Sequence, residues 1–485
     1  MLLLFALLQA IGITAVFYVT TCLLSRSHTW LAPYIALALL VIVGFIGFWA
    51  TYTYPVAAMI LNMTFWVMAA VAVVTLWRLP FNGEAATGGA IWAIGSVALI
   101  LAAFGPTGLD KMTDVARTRF SHELPVDNII PLLFANALTS GHVPIPLIGD
   151  WLSSDRPPLQ TGMFLVLRIP LINGDVAYQL LATTIQMTVL PATYFLVRSF
   201  NASRVAGVIA AGLVFFAPIT IINGVFVWPK LITAALLMVA TAIHLGPAYQ
   251  TVRGSRMAGT TVGVALAGAM LSHGAAAFTI IAFGVVSIFS ARWGSLRYSL
   301  AVALTAFALY APWMAYQHFI DSPGDRLIKW HLAGVIDATD KRAPLKAMRD
   351  AYRGMTLSDV SSRLQLKIGK SLESVVPFTQ PDRAKARATA FFKLLPSLGV
   401  VGAFGLAIVA AGFIFGYAPL AAVIVVNYLF WCITIFDTEG AIVHQSSYFM
   451  LLAIPALLAI MLSRQTIALT CLLASQAALA WSYFH

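Results

Sequence analysis

Asp127, Asp150, Asp155 and Arg156 fall within one 34-residue stretch, 127–160, reading DNIIPLLFANALTSGHVPIPLIGDWLSSDRPPLQ. A carboxylate within hydrogen-bond reach of a hydroxyl can take its proton. A guanidinium can hold an oxyanion through two parallel N–H donors. The stretch ends in the rigid pair Pro157-Pro158. Further groups of the same kind lie outside it. Lys230 follows Trp228-Pro229, and His273 interrupts two apolar runs as Ser272-His273-Gly274. The sequence DSPGDRLIKWHLAG, from Asp321, gathers Arg326, Lys329, Trp330 and His331. Donors beside a flat aromatic face suit a sugar-phosphate headgroup; an interfacial anchor helix would use the same residues.

The elements that must position these groups are almost wholly apolar. Of 485 residues 60% are hydrophobic and 10% charged, with a mean hydropathy of +0.88. A soluble domain carries about 25% charged residues, so the composition predicts an all-α polytopic membrane protein. Crossing roughly 30 Å of hydrocarbon takes about 20 apolar residues. Inside lipid the backbone must close its own hydrogen bonds, which means helices. The apolar runs predict about 14 spans: 2–24, 31–51, 56–77, 89–106, 174–197, 205–222, 230–248, 257–272, 275–291, 298–318, 394–414, 418–436, 446–463 and 466–484. The first run lacks a basic leader and a cleavage site and reads as a retained span. Cys22, Cys432 and Cys471 lie in apolar runs and read as packing residues.

Charge orients the spans. Short loops on one side hold Arg26, Arg78, Arg198, Arg204, Arg253, Arg256, Arg292, Arg297 and Arg464, against one acid, Glu84. The positive-inside rule makes that side cytoplasmic. Both long loops, 107–173 and 319–393, then lie outside, with Glu439 and His444 in a last short loop. The 319–393 loop carries 14 Lys/Arg against 8 Asp/Glu. Long loops translocate largely regardless of charge, and the basic stretch reads as amphipathic helices touching anionic headgroups. In the first loop, 124–139 predicts a short helix at the membrane surface. The run 157–172, interrupted by Arg168 and Pro170, predicts a second interfacial helix started by its prolines.

On these residues the chain resembles the GT-C membrane glycosyltransferases, in the branch of the lipid A aminoarabinose transferases and protein O-mannosyltransferases. Asp127-Asn128 stands where the family has an acidic pair, Ser140–Pro144 where it has a turn, and Arg156-Pro157-Pro158-Leu159 where it has a Lys-Pro-Pro-Leu box. The resemblance divides the chain into three extra helices (1–88), a catalytic module (89–318) with its external loop 107–173, an external basic loop (319–393) and C-terminal helices (394–485). It implies transfer of a sugar from a polyprenyl-phosphate donor to an extracytoplasmic acceptor, in a bacterial inner membrane, with the site facing the periplasm. Asp127 becomes the expected general base and Asp155 a second carboxylate. Arg156, Lys230, Arg326 and Lys329 become donor-phosphate ligands, and Asn128, His142, Trp330, His331 and His273 substrate contacts. Asn128 replaces the second acid of the pair, which leaves any divalent cation in doubt.

Each role has a plainer counterpart. Asp127 would also serve as the cap of the helix that follows it, and Asp155 as an ion-pair partner of its neighbour Arg156. Lys230 would also snorkel beside its tryptophan, and His273 would also be a satisfied buried histidine. The sequence has no phosphate loop, zinc-protease motif or nucleophile elbow, and no nucleic-acid partner is expected. A lipid-linked glycan flippase or an O-antigen-type polymerase shares the many spans and basic loops. Neither needs an acid 29 residues before an Arg-Pro-Pro-Leu box.

Overall fold

The computed structural model describes residues 1–28, 30–119, 124–144, 146–172, 174–247, 254–290, 294–335, 337, 339–372, 394–434 and 448–481. Arg253, Arg292, Glu439, His444 and the basic stretch 373–393 lie outside the described residues.

The described chain is helical apart from one small hairpin. Its helices are α1 (Leu2–Leu24), α2 (Ala32–Thr53), α3 (Ala57–Thr75), α4 (Gly83–Phe104), α5 (Met112–Thr118), α6 (Ile130–Ser140), α7 (Leu159–Leu167), α8 (Gly174–Gln186), α9 (Val189–Ser199), α10 (Arg204–Phe215), α11 (Pro218–Phe226), α12 (Lys230–Leu245), α13 (Arg256–Ser272), α14 (Ala276–Phe289), α15 (Leu296–Ala315), α16 (Arg326–Ala333), α17 (Pro344–Tyr352) and α18 (Leu357–Leu372). One short turn, Val400–Ala403, and four longer apolar helices complete it: Gly405–Ile414, Ala418–Ile433, Phe449–Met461 and Thr466–Trp481. Among the described residues six helical stretches, one of them α8 with α9, are long and apolar enough to cross a membrane, and a seventh is counted if α10 and α11, bent by 65°, are one span. The bend falls at Pro218, which has no N–H to continue the ladder. The chain is an integral, multi-pass, all-α membrane protein.

Each predicted span contains helix, and the differences are local. The fourth begins at Gly83, because the Asn82 side chain accepts from Ala85 N and caps it. The span 394–414 is broken at Gly399 (φ 63°), leaving Gly405–Ile414 as its one long piece. The loop after α6 forms a two-stranded antiparallel hairpin, β1 (Pro146–Ile148) with β2 (Trp151–Leu152), which hydropathy did not suggest.

The interior is set by close helix approach. Every residue of α12 and of α7 is buried. A Cβ on Gly162 would sit 1.8 Å from Gly44 O, so α7 and α2 meet backbone to backbone. The run 157–172 therefore holds a helix buried against α2 rather than one lying open on a surface. Its helix is driven into the bundle by Gly162, and donors from α1 and α3 complete its last turn. Gln9 Nε2 donates to Leu167 O at 3.0 Å, Asn62 Nδ2 to Val166 O and Arg168 O at 2.8 and 2.7 Å, and Trp66 Nε1 to Arg168 O at 2.7 Å. Helix ends leave such carbonyls open, and burial makes the donors obligatory. The first three helices thus brace the loop that carries Arg156.

On the opposite face, Glu84 is clamped by Arg198 at 3.0 Å, Arg204 at 2.9 Å and the Tyr194 hydroxyl at 2.6 Å. The acid among the loop arginines binds α4 to α9 and α10.

Candidate active site

Asp127 lies in a 3₁₀ turn, Val126–Ile129, between Pro125 and the Pro131 that opens α6. The cap position of α6 is Ile129 rather than Asp127, and the Asp127 carboxylate is engaged by other side chains. One carboxylate oxygen accepts from the Arg156 guanidinium in an ion pair. The other accepts from Trp228 Nε1 at 2.9 Å. The acid and the box arginine that the resemblance singled out meet side chain to side chain.

The turn before the box is fixed by the second loop. Asp321, just past α15, accepts from Ser154 N at 2.7 Å and from the Ser153 hydroxyl, which also contacts Tyr316 at 2.7 Å. Gln317 Nε2 donates to Ser154 O at 3.0 Å. Arg326, on α16, donates to Asp150 O at 2.8 Å and pairs with the carboxylates of Asp150 and, at 3.5 Å, Asp155. Asp155 is 2% exposed, and its Oδ2 accepts from Leu152 N at 2.9 Å. Burial pushes the Asp155 carboxyl up, against the pull of that N–H and of Arg326 and Arg156. Its ion-pair partner is thus Arg326, not the neighbouring Arg156. The Arg156 and Arg326 guanidiniums lie 4.4 and 5.3 Å from the Trp151 ring, and Trp330 packs 6.4 Å from it. Asp155 Oδ1, Arg156 Nε, Arg326 Nε and Ser154 Oγ are buried without a hydrogen-bond partner among the described residues.

Lys230 forms the floor. It is 4% exposed, with its ammonium 4.6 Å from the Trp228 ring and 5.1 Å from the Tyr448 ring. It has no hydrogen-bond or ion-pair partner among the described residues, though the charges of Asp127 and Arg156 both reach it. The backbone N–H groups of Leu231 and Ile232 behind it are taken by Gln186 Oε1, each at 3.1 Å. Gln186 donates to Gln160, Gln160 to Tyr178, and Tyr178 to Asn128 O at 2.6 Å. This chain of bonds ties the start of α12 and the box helix α7 to the turn that holds Asp127. Buried polar groups linked this way fix one geometry.

The other predicted residues separate. His331, on α16, is near enough to feel Lys230 and Arg156; burial chiefly pushes its ring down to about 4. Asn128 is buried, with its Nδ2 donating to Thr113 O. Lys329 points away, held by Asp325 at 2.8 Å and by Asp340 and its carbonyl. His142 sits on the exposed turn after Gly141 (φ 73°), at the far end of α6, about 16 Å along the helix axis from its start. His273 takes up Ala275 N at 3.1 Å in the turn between α13 and α14. Among the described residues no group of three or more His, Cys, Asp or Glu side chains comes together to hold a metal ion.

Trp228, Trp151, Tyr448, Asp321 and the Gln160–Gln186 chain were not among the predicted site residues. For Trp151 the signal was present, an aromatic residue five positions before Arg156. For the glutamines no sequence signal exists, because a polar residue in a span is legible only as costly.

No protein-family model and no curated protein matches the chain. Among solved structures it is similar to the crystal structure of ArnT from Cupriavidus metallidurans bound to undecaprenyl phosphate. The alignment covers 72% of this chain and 77% of that one at 13% identity, with a TM-score of 0.36. The chain is an all-α polytopic membrane protein that resembles the GT-C membrane glycosyltransferases through its Asp127-to-Arg156 loop.

Proposed function

We propose that the protein transfers a sugar from a polyprenyl-phosphate carrier to a hydroxyl acceptor, on the face that carries Asp127. The observation that supports this best is Lys230, a buried lysine facing aromatic rings, with Arg156 beside it. A buried charge without a hydrogen-bonded partner is costly, and an anion between Lys230 and Arg156 would remove that cost. A lipid phosphate is such an anion, and it can reach a site at the edge of a membrane. In the reaction, the acceptor oxygen bonds to the anomeric carbon, and the bond from that carbon to the phosphate oxygen breaks. The electron pair leaves with the phosphate, whose growing charge Lys230 and Arg156 stabilise. The acceptor proton passes to the Asp127 carboxylate, which Arg156 and Trp228 hold in place. Trp151 and Trp330 offer an apolar wall for the sugar. Arg326, His331 and Asp155 shape that wall, and Lys329 serves the loop that carries it. The face would be extracytoplasmic, as the arginine distribution of the opposite loops requires.

The test is purified protein given a panel of polyprenyl-phosphate sugars with a candidate acceptor, read by release of free polyprenyl phosphate. At least one donor should turn over, and Lys230→Met should weaken its binding. Binding of nucleotide sugars alone, or movement of intact lipid-linked sugar across vesicles without cleavage, would replace the proposal with another class of activity.

A further inference from the structure

Far from Asp127, the arginine-bearing face holds a groove of about 460 Å³ between α1, the 3₁₀ turn Leu76–Arg78 that ends α3, and α4. Ile11, Thr14 and Tyr18 form one wall, Trp77 and Phe81 the mouth, and the small residues of α4 from Ala85 to Ala93 the other wall. Its volume falls in the range of roughly 300–1,000 Å³ common to ligand pockets.

The chemistry of the lining selects an apolar occupant. The Thr14 hydroxyl is spent on Ala10 O at 2.8 Å. The Tyr18 hydroxyl accepts from Asn82 N at 3.3 Å, and the Asn82 side chain is engaged by Ser25 and Ala85. The walls are therefore predominantly apolar, and hydrocarbon fits them. The mouth is different. Trp77 and Phe81 are 74% and 82% exposed, as aromatic residues at a membrane interface are. Arg78 stacks 4.7 Å from the Trp77 ring, and Arg26 follows Ser25 at the end of α1. Neither arginine has a carboxylate partner among the described residues. The acid of this face, Glu84, is already held by Arg198 and Arg204. Arg78, on the Trp77 ring at the mouth, and Arg26, next to the Ser25 that Asn82 bonds beside Phe81, complement an anionic headgroup above a fatty chain.

We propose that this groove binds one anionic phospholipid, with an acyl chain between α1 and α4 and the phosphate at Arg78 and Arg26. A second copy of the protein is a poorer occupant, because a two-fold contact here would set the same arginines against each other.

Native mass spectrometry of the detergent-purified full chain tests this, titrated with phosphatidylglycerol and phosphatidylcholine of identical chains. Near an anionic surface each arginine contributes about fivefold in affinity. One phosphatidylglycerol should therefore bind about tenfold or more tighter than phosphatidylcholine. Arg78→Gln should reduce that preference about fivefold. The double variant Ala86→Phe/Ala90→Phe fills the slot and should abolish retention of either lipid, while sugar transfer, made elsewhere, persists. Equal binding of both lipids, or retention untouched by the filling variant, would overturn the proposal. So would a dimer that the filling variant dissociates.

Discussion

Asp127→Asn separates a chemical role from a structural one. The Asp127 and Arg156 side chains are 11% and 13% exposed. Removing one member of a buried ion pair costs about 3–5 kcal/mol, because the other charge is left unpaired. Asn keeps an oxygen for the Trp228 N–H and some solvent reaches the pair, so the expected loss is near 3 kcal/mol. Loss of a general base slows transfer by about 10²–10⁴, which is about 2.7–5.4 kcal/mol at 1.36 kcal/mol per decade. The two effects are similar in size, so rate alone does not distinguish them. The double variant Asp127→Asn/Arg156→Gln isolates the stability cost, since Arg156→Gln slows turnover by itself. It removes both charges, so thermal stability should return most of the way to wild type while transfer stays slow. Arg156→Gln alone should weaken donor binding as well as turnover. The measurements are initial transfer rate, donor affinity and Tm for the three variants. The reasoning is refuted if folded Asp127→Asn transfers within about threefold of wild type.

Three further outcomes follow from particular contacts. His331 has a folded value of about 4 against an ordinary value near 6.5. The unfolded chain therefore binds the extra proton first, and stability should fall as pH drops from about 6.5 toward 4. His331→Gln should flatten that part of a Tm-against-pH curve, and an unchanged slope would place the titration elsewhere. Gly162→Ala sets a Cβ 1.8 Å from Gly44 O. Overpacking costs about 1–3 kcal/mol or more, so Tm should drop and transfer should fall with it, as α7 withdraws from α2 and carries Arg156 away. Unaltered Tm and rate would mean the two helices are free to separate. Single cysteines at the exposed Ser27 and Ser140, in a background lacking Cys22, Cys432 and Cys471, should react with a membrane-impermeant reagent from opposite sides. Reaction of both from outside whole cells would invert the proposed topology.

The sequence alone determined what depends on near neighbours. Hydropathy over about 20 residues places helices, since each must bury its own backbone bonds. The predicted spans therefore each contain helix. Charge bias in short loops marks one face by the same local logic, and the resemblance to a known family's loop named Asp127 and Arg156 separately, without showing that they meet. Tertiary structure decided which charge faces which. Trp228 reaches Asp127 across 101 residues and Arg326 reaches Asp150 across 176. No local pattern records either distance, because an ion pair's partner depends on how whole helices pack. That is why Lys329, predicted beside the phosphate, is engaged by Asp325 and Asp340, and why Lys230, ambiguous as a snorkelling anchor, is buried in the cluster. It is also why α7 could not be placed from its sequence. A short apolar run with an arginine reads as interfacial until Gly44, Gly162, Gln9, Asn62 and Trp66 supply the close approach and the donors that let it enter the bundle.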